Sequence, residues 1–318
     1  MRMPKRIIPL DIPDGPLVGH RSAISSLKDL AGVYDVIHAH GLRAGIDAGI
    51  AGRRTGTSVL LTVHNLVRAD VAGALKAPLY RKAERLAVGA TDHTFAVSQD
   101  IARHLRASMP RLAERIEVLY LGIGGPPAIG SSRNDIRAKL AMDEGDALIV
   151  SVARLAPQKS VDVLIDAVAS MASRPTVAVI GEGPLHGQLR DRVKSHGLEG
   201  KFHLLGFRED ATDWIAAADV FCMSSVWEGV PLAAQEAILL GTPVVATDVG
   251  GMRELIANKV SGRLVPPRDP TVLAAALEET LSGEERARDY AQAATERLEE
   301  RFSTAKMLAR LRDAYTGG

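Results

Sequence analysis

The sequence predicts an α/β protein of two Rossmann-like domains. Three observations carry that expectation. In the second half, apolar runs of four or five residues alternate with helical patterns about twice as long, the rhythm of a parallel sheet covered by helices on both faces. Near the middle, Gly122–Ser132 gathers four glycines and two prolines in eleven residues, which marks an interdomain linker. The 318 residues, 46% of them hydrophobic, leave room for two cores of ordinary size. Aromatics make up only 4%, so those cores are built of Ala, Val, Leu and Ile.

In chain order, Arg6–Ile12 reads as a strand, Pro13–Gly19 as a loop and Arg21–Ala31 as a helix. Asp35–His38 is a short buried strand running into Ala39–His40–Gly41, followed by a small-residue helix, Ala44–Gly52. Val59–Val63 is a strand ending at His64–Asn65, and Ala77–Val88 is a helix carrying Arg81, Lys82 and Arg85. Thr94–Val97 is a strand, after which Ser98 supplies an N-cap oxygen for Gln99–Ala107. Ile116–Leu121 closes the first half. Beyond the linker come strand Leu148–Val152 with helix Val161–Met171, strand Val177–Ile180 with helix Leu185–Ser195, and strand Phe202–Leu205 with the short helix Ala211–Ala217. Val220–Cys222 is followed by a polar loop, Ser224–Glu228, and by helix Leu232–Leu240. Strands Val244–Ala246 and Arg263–Val265 and helices near Pro270–Leu281, Glu284–Arg301 and Ser303–Tyr315 complete the chain. The expected domains are 1–127 and 128–302, with 303–318 packing back on the first.

Composition excludes several classes. The single cysteine, Cys222, permits no disulfide within the chain and reads as strand core. No run approaches the ~20 apolar residues of a membrane span, and MRMPKRII lacks the apolar core of a signal peptide. A cytoplasmic protein is expected. Lys and Arg number 17 against 11 Asp and Glu in residues 1–128, and 22 against 27 in the remainder. A basic first half can face an anionic acceptor or a membrane surface. No GxGxxG follows the first strand and no GxxxxGK[ST] occurs, which argues against a dinucleotide dehydrogenase and a P-loop NTPase. There is no Gly-x-Ser-x-Gly elbow, and no His/Cys/Asp cluster has metal-ligand spacing. No nucleic-acid partner, metal or cofactor is expected.

The chemistry concentrates where strands end. Gly229 and Pro231 open helix Leu232–Leu240, with Pro231 suited to the first turn. That terminus offers free N–H groups and a partial positive charge to a phosphate. Glu228 sits one residue before it, either as a cap-like acceptor of helix N–H groups or as a holder of sugar hydroxyls. Glu236 lies in a helix that is otherwise apolar apart from Gln235 and needs partners; a pair of ribose hydroxyls would serve, and backbone N–H groups are the structural alternative. Arg154 and Lys159 follow strand Leu148–Val152 and can reach a phosphate, one as a planar fork and the other as a point charge. Gly181–Glu182–Gly183–Pro184 and Gly250–Gly251 are strand-to-helix turns that either let backbone approach a ligand or only make the turn. His40 and His64 fall at strand ends in the first half, on one edge of one sheet.

These residues together resemble the retaining glycosyltransferases of the GT-B fold, group 1, family 4. Glu228–Gly229–Val230–Pro231–Leu232–Ala233–Ala234–Gln235–Glu236 matches the family's Glu-x7-Glu motif. ARLAPQKS matches its donor-phosphate motif, and IGEGP, HLLGF, TDVGGMRELI and GRLVPPRDP match further landmarks in order and spacing. DVIHAHG, LLTVHN and HTFAVS do so in the first half. The resemblance implies that Arg154 and Lys159 hold the donor diphosphate and that Glu236 binds the ribose. Glu228, with backbone of Gly229, Val230, Pro231 and Leu232, would hold sugar and phosphate. Gly181 and Gly183 would line the donor site, the base would lie near Gly206–Phe207, and His40 would sit beside the transferred sugar. His40, Glu228, Arg154 and Lys159 are the expected catalytic set. A nucleotide-diphosphate sugar would then be the substrate, and the acceptor a glycan, a lipid-linked or a small molecule; apart from the resemblance, the basic charge of helix Ala77–Val88 suits peripheral contact with anionic lipid. Configuration would be retained by front-face attack, the leaving phosphate oxygen taking the acceptor proton, with no metal.

The family's first domain normally opens with a strand, a Gly-Gly loop and a long helix. Relative to that pattern this chain starts just upstream of DVIHAHG, with roughly 50–70 residues absent by domain size, so a truncated first domain is expected. At Tyr120–Leu121–Gly122–Ile123 the family usually has a Pro-Asn-Gly-like turn. The other classes weighed are a catalytically impaired nucleotide-sugar-binding remnant and a sugar-nucleotide epimerase of similar fold, against which the Glu228/Glu236 spacing counts.

Overall fold

The computed structural model describes Leu10, residues 20–66 and residues 77–317. The expected strand Arg6–Ile12 and loop Pro13–Gly19 therefore lie, Leu10 apart, outside the described residues. The chain divides into two compact units, residues 1–119 with 313–318, and residues 120–312.

Unit 1 holds four parallel strands in the order β1-β2-β3-β4: β1 (Val36–His40), β2 (Ser58–Val63), β3 (His93–Ala96) and β4 (Ile116–Val118). Its described helices are α1 (His20–Ala31), α2 (Leu42–Thr55), α3 (Ala77–Ala90) and α4 (Gln99–Ser108). β2 is interior and buried over Val59–Val63, as its apolar run requires. β1 lies at the edge of the described sheet, so it is half-buried where the sequence pointed to a buried strand. The Ser98 hydroxyl accepts from the Ile101 N–H at 3.2 Å, capping α4 as expected. The small residues of α2 have a packing reason: a Cβ on Gly49 would lie 2.6 Å from the Ala90 carbonyl oxygen at the end of α3.

Unit 2 carries six parallel strands: β5 (Leu148–Val152), β6 (Thr176–Ile180), β7 (Phe202–Leu204), β8 (Val220–Met223), β9 (Val244–Thr247) and β10 (Arg263–Val265). Their order is β10-β9-β8-β5-β6-β7. The chain moves outward from β5 through β6 to β7, then returns to the other side of β5 and moves outward again. β5 and β8 are therefore neighbours at a topological switch point, where the loops after the two strands diverge. The helices are α5 (Arg133–Ala138), α6 (Val161–Ser170), α7 (His186–Ser195), α8 (Ala211–Ala217), α9 (Leu232–Leu239), α10 (Met252–Leu255), α11 (Pro270–Ser282), α12 (Glu284–Arg301) and α13 (Thr304–Thr316), the last ending among 313–318.

Both sheet faces are covered. Ile149, Val177, Val179, Cys222 and Val245 pack against α6 and α11, while Leu148, Val150, Phe221, Met223 and Ala246 pack against α8, α9 and α12. Neighbours along a strand thus enter different cores, which is why the strands read as unbroken apolar runs. Burial pushes the Cys222 thiol up to about 12, so it stays protonated within the core.

The glycine-rich run behaves as part of unit 2 rather than as a free linker. Gly122 packs so closely on Phe302–Thr304 that a Cβ would lie 2.2 Å from the Phe302 carbonyl oxygen. Further along, the Gly130 N–H donates to Asp213 at 2.8 Å, and Ser132 and Asp135 close a capping box that opens α5. The unit boundary falls at 119/120, before the glycines, because these hydrogen bonds lay the run on the second core.

Candidate functional site

The loops leaving β5 and β8 meet at the switch point, at the carboxyl edge of the unit 2 sheet. After β5 the chain passes Arg154 and enters a 3-10 turn, Pro157–Lys159. Ser160 follows with φ 43° and ψ 47°, a left-handed conformation in a non-glycine residue, and immediately starts α6. This tight reversal turns Lys159 toward the β8 loop. The Lys159 ammonium donates to Glu228 Oε1 at 2.6 Å. The Ser225 hydroxyl donates to the same oxygen at 2.5 Å. Backbone holds both loops in register: the Val226 N–H donates to the Gln158 carbonyl at 2.9 Å, the Gln158 amide donates to the Trp227 carbonyl at 2.9 Å, and the Ser224 hydroxyl donates to the Lys159 and Ser160 carbonyls.

Glu228 is buried at 5% exposure. A carboxylate at that depth requires a cation or several donors, and Lys159 and Ser225 supply both. The cap-like alternative for Glu228 is thereby corrected: among the described residues its carboxylate is held by those two side chains, and none caps α9. Pro231 is likewise corrected. It is the N-cap, with ψ 126°, and helical geometry starts at Leu232, so the N–H groups of the first turn carry no side-chain acceptor.

Arg154, in the loop that leaves β5, is exposed, with no ion pair among the described residues. Glu236, one turn into α9, is half-buried and not fully enclosed as the apolar helix led one to expect. Burial raises its carboxyl above the usual range. Sequence reasoning passed over Gln235 beside it, which is fully buried with both amide atoms lacking a hydrogen-bond partner in the protein. It also missed Ser225 and Gln158, whose signal was only their place in polar strand-end loops.

The glycine turns have filled flanks. A Cβ on Gly181, at φ 132°, would lie 2.2 Å from the Ala153 carbonyl oxygen, and one on Gly183 would lie 2.3 Å from that of Leu155. Gly181 also donates to the Gly206 carbonyl at 2.8 Å, bringing the β6 and β7 exits together. Phe207 next to it is 71% exposed. Gly250 and Gly251 lie on Glu228 and Gly229, with Cβ positions at 1.9 and 2.0 Å from their carbonyl oxygens. The glycines therefore let the strand-end loops stack backbone on backbone, and they fix the Glu228 loop from behind. A cavity of about 920 Å³ opens at the opposite, amino edge of the sheet, around Arg133, Arg137, Asp219 and Pro243. It shares no lining residue with this site.

In unit 1, His40 ends β1 and His64 lies just beyond β2. Their rings meet, with His40 Nδ1 2.9 Å from His64 Nε2. His38 stands beside His40 with ring centroids 4.5 Å apart. Burial lowers all three imidazoles below their ordinary value, His38 to about 4.

The comparisons with known proteins agree with this architecture. A family model described as "Glycosyl transferases group 1" matches residues 132–297, and one described as "Glycosyltransferase Family 4" matches residues 5–124. The D-inositol 3-phosphate glycosyltransferase of Jonesia denitrificans is 31% identical over 295 residues, covering 86% of this chain and 69% of that protein. The protein of the same name from Frankia alni is 32% identical, covering 79% of this chain and 66% of its own length. For that from Nocardiopsis dassonvillei the figures are 32%, 77% and 61%. The chain thus spans about two thirds of these relatives. Among solved structures, Anabaena Alr3699/HepE in complex with UDP and glucose superposes with a TM-score of 0.83 at 24% identity, over 96% of this chain and 84% of that one. Sucrose-phosphate synthase from Thermosynechococcus elongatus gives 0.81 at 21% identity, over 93% and 77%. At those identities the likeness is one of fold. Since the group 1 model spans more than half of the chain and the family 4 model matches most of unit 1, the chain belongs to the group 1, family 4 glycosyltransferases of the GT-B fold.

Proposed function

We propose that the chain moves a sugar from a nucleotide-diphosphate sugar to an acceptor hydroxyl with retention of anomeric configuration. The observation that carries this reading is the Lys159–Glu228 pair at the β5/β8 switch point, with α9 opening shortly after Glu228 without a side-chain cap and Arg154 exposed in the loop that leaves β5. Charge builds on the leaving diphosphate as the glycosidic bond breaks. Arg154, Lys159 and the N–H groups of α9 are fixed positive groups for that charge, which is transition-state stabilisation. They fill the role that a divalent ion has in other transferases.

Glu228 then positions sugar hydroxyls, since an anion held by Lys159 and Ser225 is an acceptor and not a nucleophile. Glu236 takes the ribose, where two hydroxyl donors would ease the cost of its half-burial. Gly181, Gly183, Gly206 and Phe207 line the nucleotide end, with Phe207 offering its exposed ring to the base. His40 is the unit 1 group that meets the transferred sugar. The leaving phosphate oxygen takes the acceptor proton as the new bond forms on the same face.

Uridine is the first base to test, because Anabaena Alr3699/HepE was solved with UDP and with UDP-glucose. D-inositol 3-phosphate is the first acceptor, from the names of the relatives. Titration calorimetry with UDP, GDP and ADP, with UDP-glucose turnover followed in the presence and absence of that acceptor, tests the proposal. Binding of one nucleotide with release of diphosphate product is expected. No affinity for any of the three would end it; binding with no turnover would favour the nucleotide-sugar-binding remnant.

For unit 1 we also propose contact with an anionic membrane through α3. Leu79 and Leu86 are 48% and 52% exposed, and Arg81, Lys82 and Arg85 are exposed around them. Vesicles containing phosphatidylserine should retain the protein and should lose it when the three cations become Glu; no retention of the parent protein would refute the contact.

A further inference from the structure

A site that stabilises charge on a leaving diphosphate also holds the product. The terminal phosphate of a nucleoside diphosphate has its second ionisation near pH 6, so at neutral pH the product bears about one more negative charge than the donor, in which the sugar esterifies that phosphate. Arg154, Lys159 and the N–H groups of α9, acting alone, would therefore bind product more tightly than donor and slow its release.

Glu228 changes that balance, because its two oxygens differ. Oε1 accepts from the Lys159 ammonium at 2.6 Å and from the Ser225 hydroxyl at 2.5 Å, while Oε2 has no partner among the described residues. The side chain is buried, so little water reaches it to replace a lost donor. The Lys159 side chain is 20% exposed. It gives one hydrogen to Glu228, and its other two have no acceptor among the described residues. The pair thus combines a cation that has hydrogens left to give with an anion that has an oxygen left to fill.

A diphosphate draws on Lys159 and weakens the hold of the ammonium on Glu228. With donor the loss is made good, since hydroxyls of the attached sugar donate to Glu228. Product no longer carries the sugar. It takes from Lys159, returns no hydroxyl to Glu228, and sets its additional charge against a buried carboxylate.

We infer that the Lys159–Glu228 pair discriminates donor from product, with Glu228 as the specificity-determining residue: its charge makes a diphosphate bind well only while a sugar is attached. The inference rests on the proposal that Lys159 holds the diphosphate and Glu228 the sugar, and it deepens that proposal by giving the pair a part in product release. Ser225 acts on the same balance from the other side. Its hydroxyl bond to Oε1 lessens the dependence of Glu228 on Lys159 and so frees the ammonium for phosphate.

The test is calorimetry on the parent and two variants, with whichever of UDP, GDP and ADP the parent binds and with the glucose ester of that nucleotide. Glu228→Gln keeps the shape and an oxygen for Lys159 and Ser225 but removes the charge. It should bind the nucleoside diphosphate at least about fivefold more tightly than the parent and the glucose ester more weakly. Ser225→Ala keeps the charge and leaves Glu228 with Lys159 alone, so it should bind the diphosphate more weakly. The opposite signs separate this role from a structural one, since a loosened loop would weaken binding in both variants; thermal unfolding checks that each is folded. A diphosphate affinity that is unchanged or lower in Glu228→Gln overturns the inference, as does a Ser225→Ala that binds the diphosphate no more weakly than the parent. Should Glu228→Gln fail to fold, Ser225→Ala decides by itself. A parent that binds none of the three nucleotides refutes the donor site and this inference with it, whereas a parent that binds, followed by the wrong signs in the variants, refutes only the discrimination.

Discussion

At the residue scale, the Lys159–Glu228 pair determines what the site tolerates. Removing Lys159 leaves a carboxylate at 5% exposure with only Ser225 to hold it. Lys159→Ala should lower stability by about 2–3 kcal/mol, read by denaturant titration, and weaken nucleotide binding in the same protein. Glu236 gives the opposite combination. Its carboxyl is held above the usual range by burial, so the fold favours the protonated form and ionisation at neutral pH works against stability. Glu236→Gln should therefore raise the melting temperature while lowering nucleotide affinity, and affinity of the parent should rise as pH increases through the carboxyl's titration. A parallel change in both quantities would mean that Glu236 is structural. The motif residues were legible because their types are unusual where they stand: an acid in an apolar helix, two cations near a helix start. Ser225 and Gln158 were not, because a serine or glutamine in a polar loop looks the same whether it holds a carboxylate or faces water. The His40–His64 contact was half legible. Both residues stood at strand ends, but their pairing depends on the register of β1 against β2.

At the element scale, the site is a set of loops stacked by glycines. Gly251→Ala would place a Cβ 2.0 Å from the Gly229 carbonyl oxygen. The clash is with backbone and cannot be relieved by a rotamer, so about 2–3 kcal/mol of stability should be lost, with the Glu228 loop displaced. Ser160 is the reverse case. It bears a left-handed φ at a cost of about 1 kcal/mol, and Ser160→Gly should be neutral or stabilising by up to that amount in thermal unfolding. Most strands and long helices were legible, since an interior parallel strand must be apolar on both faces and β5, α8, β10 and α12 start and stop at the expected residues. What escaped was short or depended on neighbours. The four-residue α10 has too few positions for a period. The glycine-rich run after β4 has the composition of a linker, and only its hydrogen bonds to Asp213 and its packing on Phe302–Thr304 show that it belongs to unit 2.

At the scale of the whole molecule, the four side chains assigned to the donor, Arg154, Lys159, Glu228 and Glu236, all lie in unit 2, which has a covered sheet of its own. Residues 120–312 produced alone should fold and bind the same nucleotide within about tenfold of the full chain by calorimetry, without turning over sugar. Acid should affect the full chain in a defined window. His38 titrates near 4 when folded and near 6.5 when free, so the unfolded chain takes up the proton first. Stability contributed by the neutral ring is complete above about pH 6.5 and declines as pH falls toward 4; His40 and His64 shift the same way. Melting temperatures measured between pH 7.5 and 4.5 should fall through that range, and less so in His38→Gln.

The switch point also sets an order of events in time. β5 pairs with β8 across 71 positions of chain, Leu148 to Asp219. At ribosomal rates of about 5–20 residues per second, β5 leaves the ribosome roughly 4–14 s before its partner. Over that interval β6 and β7 can cover only one of its sides, and the apolar run Leu148–Val152 keeps an open hydrogen-bonding edge, the kind of edge that joins to other chains. A nascent chain halted ahead of Val220 is thus the most aggregation-prone form of unit 2, and emergence of the very segment that carries Glu228 is what closes it.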